Sequence, residues 1–184
     1  MNRTPPIIAP ALLVLLSGPA AAHRLDEYLQ ATVISLEKDR VEASLRLTPG
    51  VAVSATVLAA VDANSDGTII DGEQRAYAER VLRDLSLTVD GKVLALHLAT
   101  VEFPPTADIK AGLGQIHIQF SADVPRGPAN RRLVFENRHH SKIAAYLVNC
   151  LIPEDQNIRV LAQHRNEQQS SYRLDYLQSA AIKK

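Results

Sequence analysis

The stretch "YLQATVISLEKDRVEASLRLTPG", Tyr28 to Gly50, decides the fold. Apolar residues recur at alternate positions on both sides of the polar "EKDR", most regularly at Val41, Ala43, Leu45 and Leu47. Period-two alternation sends every second side chain to one face of an extended strand. Two such runs around a short polar turn predict a β-hairpin. "LSLTVDGKVLALHLATVEF", Leu85 to Phe103, repeats the pattern about Asp90-Gly91, a dipeptide whose backbone tolerates the positive φ of a tight hairpin turn. Further on, "GQIHIQFSADV" alternates Ile116, Ile118, Phe120 and Ala122, and "RRLVFEN", "AAYLVNCLI" and "NIRVLAQH" are shorter strand candidates bounded by Pro, Gly and Asn. Roughly seven or more short strands at this spacing predict a mainly β fold, a sandwich-like antiparallel domain or an open barrel.

One segment breaks the strand pattern. In "GEQRAYAERVLRDL" the apolar residues Ala78, Val81, Leu82 and Leu85 fall at helical spacing, with Glu73, Arg75, Glu79, Arg80 and Arg83 on the other side. Upstream, "PGVAVSATVLAAV" is almost wholly apolar and long enough for about three helical turns. Its Val and Thr content would also suit an extended strand, and a helix is expected because the loop that follows needs one on each side. Between them lies "DANSDGTIIDGE", Asp62 to Glu73. Calcium is a hard cation that takes six to eight oxygens, so a chain that binds it must wrap around it with donors at alternate positions. Asp62, Asn64 and Asp66 fill the first, third and fifth places of a twelve-residue loop, Gly67 the sixth, where the chain turns sharply, and Glu73 the twelfth, where a bidentate carboxylate is required. Thr68 would give its backbone carbonyl at the seventh, and Ile69 at the eighth would pack.

Here the sequence resembles the EF-hand family from about Val51 to Leu85. It departs from the family pattern at the ninth place, where Ile70 replaces a residue able to hold a water and cap the outgoing helix; Asp71 with Gln74 would then form a shifted cap. With three carboxylates, one neutral amide, an apolar ninth position and no second loop, affinity is expected on the order of 10⁻⁴ to 10⁻³ M, as in extracellular modules. The alternative is an Asx-rich turn that caps its own backbone without an ion.

The opening "MNRTPPIIAPALLVLLSGPAAAH" has Arg3, an apolar run from Ile7 to Leu16, and Ala20 and Ala22 at the spacing a signal peptidase reads. It predicts a signal peptide over 1–22 and a single exported β-rich domain over 23–184, periplasmic or secreted, with the helix-loop-helix inserted at about 51–85. The run is shorter than the roughly 20 residues needed to span a bilayer. Lys and Arg total 20 and Asp and Glu 20, and this balance removes the electrostatic case for a nucleic-acid partner. Cys150, the only cysteine, excludes an intramolecular disulfide and reads as a small buried hydrophobe.

Among the histidines, His23 would start the mature chain, where an α-amine and an imidazole together can chelate copper or nickel. His139 and His140 in "ENRHHSK" read as a solvated turn, and His97 and His117 as strand residues on possible neighbours. Arg126, Arg131, Arg132, Arg138 and Lys142 make this the most basic part of the chain, read as a charged edge strand that resists unwanted pairing. No Ser, His and Asp arrangement, phosphate loop or zinc helix motif is visible, so the reading is non-enzymatic.

Taken whole, the chain from "AHRLDEYLQATVISLEKDRVEASLRLTPG" through "YLVNCLIPEDQNIRV" to "LDYLQ" also resembles exported domains that precede the membrane helices of hydrogenase and urease accessory-type (HupE/UreJ-like) bacterial proteins. That resemblance implies an extracytoplasmic β-rich domain with a nickel-related, membrane or periplasmic partner. The expectation is an exported calcium-binding domain in which Ca²⁺ clips an EF-hand insert onto a β-sandwich. Its rivals are a transition-metal carrier or sensor using His23 and an adaptor of a membrane transporter.

Overall fold

In the computed structural model, which describes residues 26–179, the first hairpin forms as the alternation predicts. β1 (Tyr28–Leu36) and β2 (Arg40–Pro49) pair antiparallel from Tyr28 opposite Pro49 to Leu36 opposite Val41. Glu37 N–H closes the turn on the Arg40 carbonyl at 2.9 Å. Two helices follow, α1 (Val51–Val61) and α2 (Asp71–Arg83). The chain then makes a tight hairpin from β3 (Leu85–Val89) to β4 (Lys92–Val93), with Asp90 at φ 53° and Gly91 at φ 78°, the positive values this turn needs. The second arm is shorter than its alternation implies, because the chain leaves after Val93 and enters the other sheet as β5 (His97–Glu102). A one-turn helix, α3 (Thr106–Lys110), precedes β6 (Ile116–Asp123), β7 (Asn130–Asn137), β8 (Ala144–Cys150), β9 (Ile158–Arg165) and β10 (Ser171–Gln178).

The strands form two five-stranded sheets packed together as a β-sandwich, in the orders β5-β6-β2-β1-β8 and β4-β3-β7-β10-β9. Every pairing is antiparallel except β1 with β8, which is parallel and sets Tyr28 beside Ala144 and Gln30 beside Tyr146. The segment 138–143 is the crossover that makes this possible, leaving β7 in one sheet and delivering β8 to the other.

Inward positions of both sheets fill the core, with Leu45, Leu47, Ile118, Phe120, Leu133, Phe135, Tyr172 and Leu174 almost fully buried. Each such side chain contributes about 1.5–3 kcal/mol relative to its exposed state. Val53, Val57, Leu58 and Val61 of α1 and Tyr77, Ala78, Val81 and Leu82 of α2 belong to the same cluster. The two helices are thus a wall of the domain core, held to each other by the Arg80 guanidinium, which donates to the Ala60 carbonyl near the end of α1. A cation there suits the negative end of the α1 dipole.

The basic stretch does not lie at an edge. β7 runs through the middle of its sheet between β3 and β10. Arg131, 5 % exposed, bonds Asp90 Oδ2 at 2.9 Å, Gln178 Oε1 at 3.1 Å and the Pro125 carbonyl at 2.9 Å. Arg132 pairs with Asp175 at 2.6 Å, which holds that carboxyl below the usual range. Of the five cations, Arg131 is therefore buried inside the fold and Arg132 is paired on its surface. β7 alternates Arg131, Leu133, Phe135 and Asn137 inward with Asn130, Arg132, Val134 and Glu136 outward, a pattern an edge strand shares, and strand order is set by partners far away in sequence.

Candidate metal centre

Asp62 ends α1 and the loop runs exposed to Ile70, the residue before α2. The Asp62 carboxylate turns inward and accepts from the backbone N–H of Asp66 at 3.2 Å through Oδ1 and of Gly67 at 2.9 Å through Oδ2. Asn64 Oδ1 accepts from Asp66 N–H at 3.0 Å, while its amide donates to Asp66 Oδ2 at 2.8 Å. Asp66 Oδ1 takes the Thr68 N–H at 2.8 Å. Gly67 has φ 82°, the left-handed turn expected of the sixth position, which a Cβ would strain. Ile69 is half-buried against the core, as its place in the loop predicts.

Glu73 reaches back from the other end. Its Oε1 accepts from Ala63 N–H at 3.1 Å and its Oε2 from Ile70 N–H at 3.2 Å. The shifted cap at Asp71 and Gln74 does not form. α2 begins at Asp71 with Ile70 as its N-cap, extended at φ −87° and ψ 162°. Ile70 has no side-chain acceptor, so only the Glu73 half of a capping box is present. The apolar ninth residue leaves the helix start in register, and Glu73 points at the loop.

The donors at Asp62, Asn64, Asp66, Thr68 and Glu73 are hard oxygens of the kind calcium takes. Their carboxylates are bonded to the loop's own amides. Among the described residues, no set of three or more His, Cys, Asp or Glu side chains converges closely enough to hold a metal. The residue chemistry fits the ion, and the donors surround the loop without meeting at one point. Beside it a cleft of about 410 Å³ separates Gly67, Thr68 and Ile69 from Phe103 to Thr106.

The histidines are distributed differently from expectation. His23 and the leader over 1–22 lie outside the described residues. His97 and His117 are on neighbouring strands, yet His97 faces Ser121 and His117 faces Glu102, at opposite ends of the ladder. His139 is not in a solvated turn, being only 4 % exposed. Its Nδ1 is 2.7 Å from Asp84 Oδ2 at the end of α2, and its Nε2 is 3.2 Å from the Tyr77 hydroxyl. The Tyr77 hydroxyl is in turn 2.7 Å from that of Tyr28.

Around this chain, the His139 carbonyl accepts from Gln30 Nε2 at 2.8 Å and from the Tyr146 hydroxyl at 3.0 Å. Asn137 donates to Gln30 at 2.9 Å and accepts the His139 N–H at 2.9 Å. Burial lowers the His139 pKa, with the Asp84 bond pulling the other way; it also pushes Tyr77 up to about 12 and Tyr28 well above its ordinary value.

Topology explains this convergence. Pairing of Leu85 with Asn137 brings Asp84 alongside the residues that follow β7, and the parallel β1–β8 pair sets Gln30 next to Tyr146. The sequence did carry one signal of the network. Gln30 and Thr32 occupy inward positions of β1 where the alternation calls for apolar residues. A buried polar side chain needs a partner, and here Gln30 has found two.

Cys150 is half-buried, and burial pushes its thiol up to about 11, which leaves little thiolate. No helix among the described residues is long and apolar enough to cross a membrane. No protein-family model, curated protein or solved structure matches this chain.

Proposed function

We propose that this chain is an exported calcium-binding domain in which Ca²⁺, held by Asp62, Asn64, Asp66, the Thr68 carbonyl and Glu73, clips the helix-loop-helix to the β-sandwich. The observation that carries the reading is Glu73. From the twelfth place it turns back to the head of the loop, 3.1 Å from the Ala63 amide, so the first and last carboxylates of the motif already flank the same turn. The left-handed Gly67 supports it, as does the helix on each side. Because both helices are built into the core, an ion joining their ends would act on the whole domain as a structural clip. The leader-like opening and the resemblance to exported accessory-type domains point to a setting outside the cytoplasm, where calcium is abundant and a weak site fills. A membrane or periplasmic protein is the partner this setting favours.

Calorimetric titration of the chelator-stripped protein with calcium, magnesium, nickel and copper tests the reading. Calcium is expected to bind with Kd on the order of 10⁻⁴ to 10⁻³ M. At about 10 mM it should then stabilise the fold by about 1.4–2.7 kcal/mol, read as a rise in Tm. Asp62→Ala combined with Glu73→Ala should abolish both signals. Neither heat nor thermal shift with calcium would sink the proposal. Tight nickel or copper binding that disappears when one residue is added before His23 would establish the carrier instead.

A further inference from the structure

We infer that the chain Asp84–His139–Tyr77–Tyr28 is a proton-sensitive latch, which tightens α2 on the sandwich while His139 is neutral and loosens it when His139 takes up a proton. Donors and acceptors along this chain balance in only one protonation state. An ionised carboxylate can only accept, so the Nδ1–H of His139 donates to Asp84 Oδ2 across 2.7 Å. A neutral imidazole then has a bare Nε2, which accepts from the Tyr77 O–H, and the Tyr77 oxygen accepts from the Tyr28 O–H. Every hydrogen in the chain has an acceptor, and all three bonds run in one direction.

Protonation makes both ring nitrogens donors. Nε2–H must then donate to the Tyr77 oxygen, which turns the Tyr77 O–H onto Tyr28. The Tyr28 O–H is left with nothing to accept it, since Tyr77 is its one partner among the described residues and Tyr28 is 0 % exposed. A buried donor without an acceptor loses its full hydration, so the protonated latch is strained at its far end.

The charged groups around the ring reinforce this. α2 presents Asp84, Tyr77 and Arg80, whose guanidinium stands 5.6 Å from the Tyr77 ring centre; β1 presents Tyr28, β8 presents Tyr146, and the His140 ring lies 4.3 Å away. Only Asp84 welcomes a positive charge. Arg80 and His140 oppose it, in keeping with the downward direction of the His139 pKa, of which burial is the largest cause. Asp84 is 48 % exposed, so the proton has a route from solvent.

The sign follows from linkage. With the folded pKa below the unfolded value of about 6.5, the latch contributes fully above that pH and is lost as pH falls toward the folded value. α2 is the element loosened. It is tied to β1 through Tyr77 and to the β7–β8 crossover through Asp84, and the reversal of bonds occurs at the first of these ties. The latch needs no calcium and is independent of the metal proposal.

Hydrogen exchange of the full chain in chelator, expressed as protection factors at pH 7.5 and 5.5 to remove the intrinsic pH dependence, reads the loosening element by element. Protection over 71–83 is expected to fall by up to about tenfold at the lower pH, the most that one group with an opened-state pKa of about 6.5 gives between these values, while β2 and β6 keep theirs. His139→Gln should make α2 protection equal at the two pH values. Asp84→Asn should move the transition to lower pH, since the carboxylate is what favours the charged ring, whereas a merely structural role would leave its midpoint in place. Unchanged α2 protection in the wild type, loss across all strands together, or a pH dependence that survives His139→Gln would overturn the latch. Should His139→Gln fail to fold, NMR titration of the wild-type His139 ring decides: a folded pKa below the ordinary value supports the latch, and one at or above it refutes it.

Discussion

Asp90 has two roles, and only one is visible in the sequence. Next to Gly91 it marks a hairpin turn, and its φ of 53° is what such a turn needs. Its carboxylate also faces the Arg131 guanidinium at 2.9 Å and accepts the Arg132 N–H at 2.9 Å. Gly127 leaves room for that guanidinium, since a Cβ there would lie 2.7 Å from Arg131 Nη2. A pairing across 41 positions has no local signature, which is why the arginines of β7 read as a charged surface. His139 was hidden for the same reason, its polar neighbours in sequence masking partners from three other elements. Asp90→Ala removes the counter-charge of a buried arginine and should destabilise the fold by about 3 kcal/mol, the lower end of the range for a broken buried pair, because Asp90 keeps some solvent. Asp90→Asn should cost less, since its amide oxygen still accepts from the Arg132 N–H. Urea midpoints at constant m-value check both, and a change under 1 kcal/mol for the alanine would show that the pair adds nothing net.

Among the elements, α2 was legible because helical periodicity is local, and both hairpins because alternation and turn chemistry agree; α1 is apolar nearly all round, and only its length and its place before the loop favoured a helix over a strand. The start of α2 was legible only in part. Ile70 violates the preference for a side-chain cap, and the nearest acidic residue, Asp71, offers itself as a replacement. The helix keeps the frame of the calcium motif because Glu73 bonds the Ile70 N–H and supplies one half of the box. The missing half is open to repair. Ile70 is 55 % exposed, and its extended backbone is that of a normal N-cap, so a hydroxyl there can accept from the Glu73 N–H. Ile70→Thr should therefore stabilise the calcium-free protein by about 1 kcal/mol and tighten calcium binding. Thermal melts in chelator measure the first effect and titration the second. A loss of stability would mean that the isoleucine methyl groups contribute more here than a cap would.

For the molecule as a whole, inward and outward faces follow from period-two alternation, but sheet order does not. The crossover after β7 and the parallel β1–β8 pair depend on which edges are free once the hairpins have formed, a long-range condition that no single segment encodes. The helix-loop-helix is an insert in sequence and a wall in space. Its apolar residues share one cluster with both sheets, and the polar network ties it to β1 and to the crossover. An appended module would melt separately, and a shared core predicts that this one does not. Leu58→Ala in α1, at a site 9 % exposed, should lower the stability of the entire domain by about 2–5 kcal/mol. The loss should leave a single transition, with far-ultraviolet dichroism and tyrosine absorbance superimposing in wild type and variant alike. Should the helical signal disappear ahead of the tyrosine signal, the helices are a separate folding unit, and calcium bound between them would stabilise only themselves.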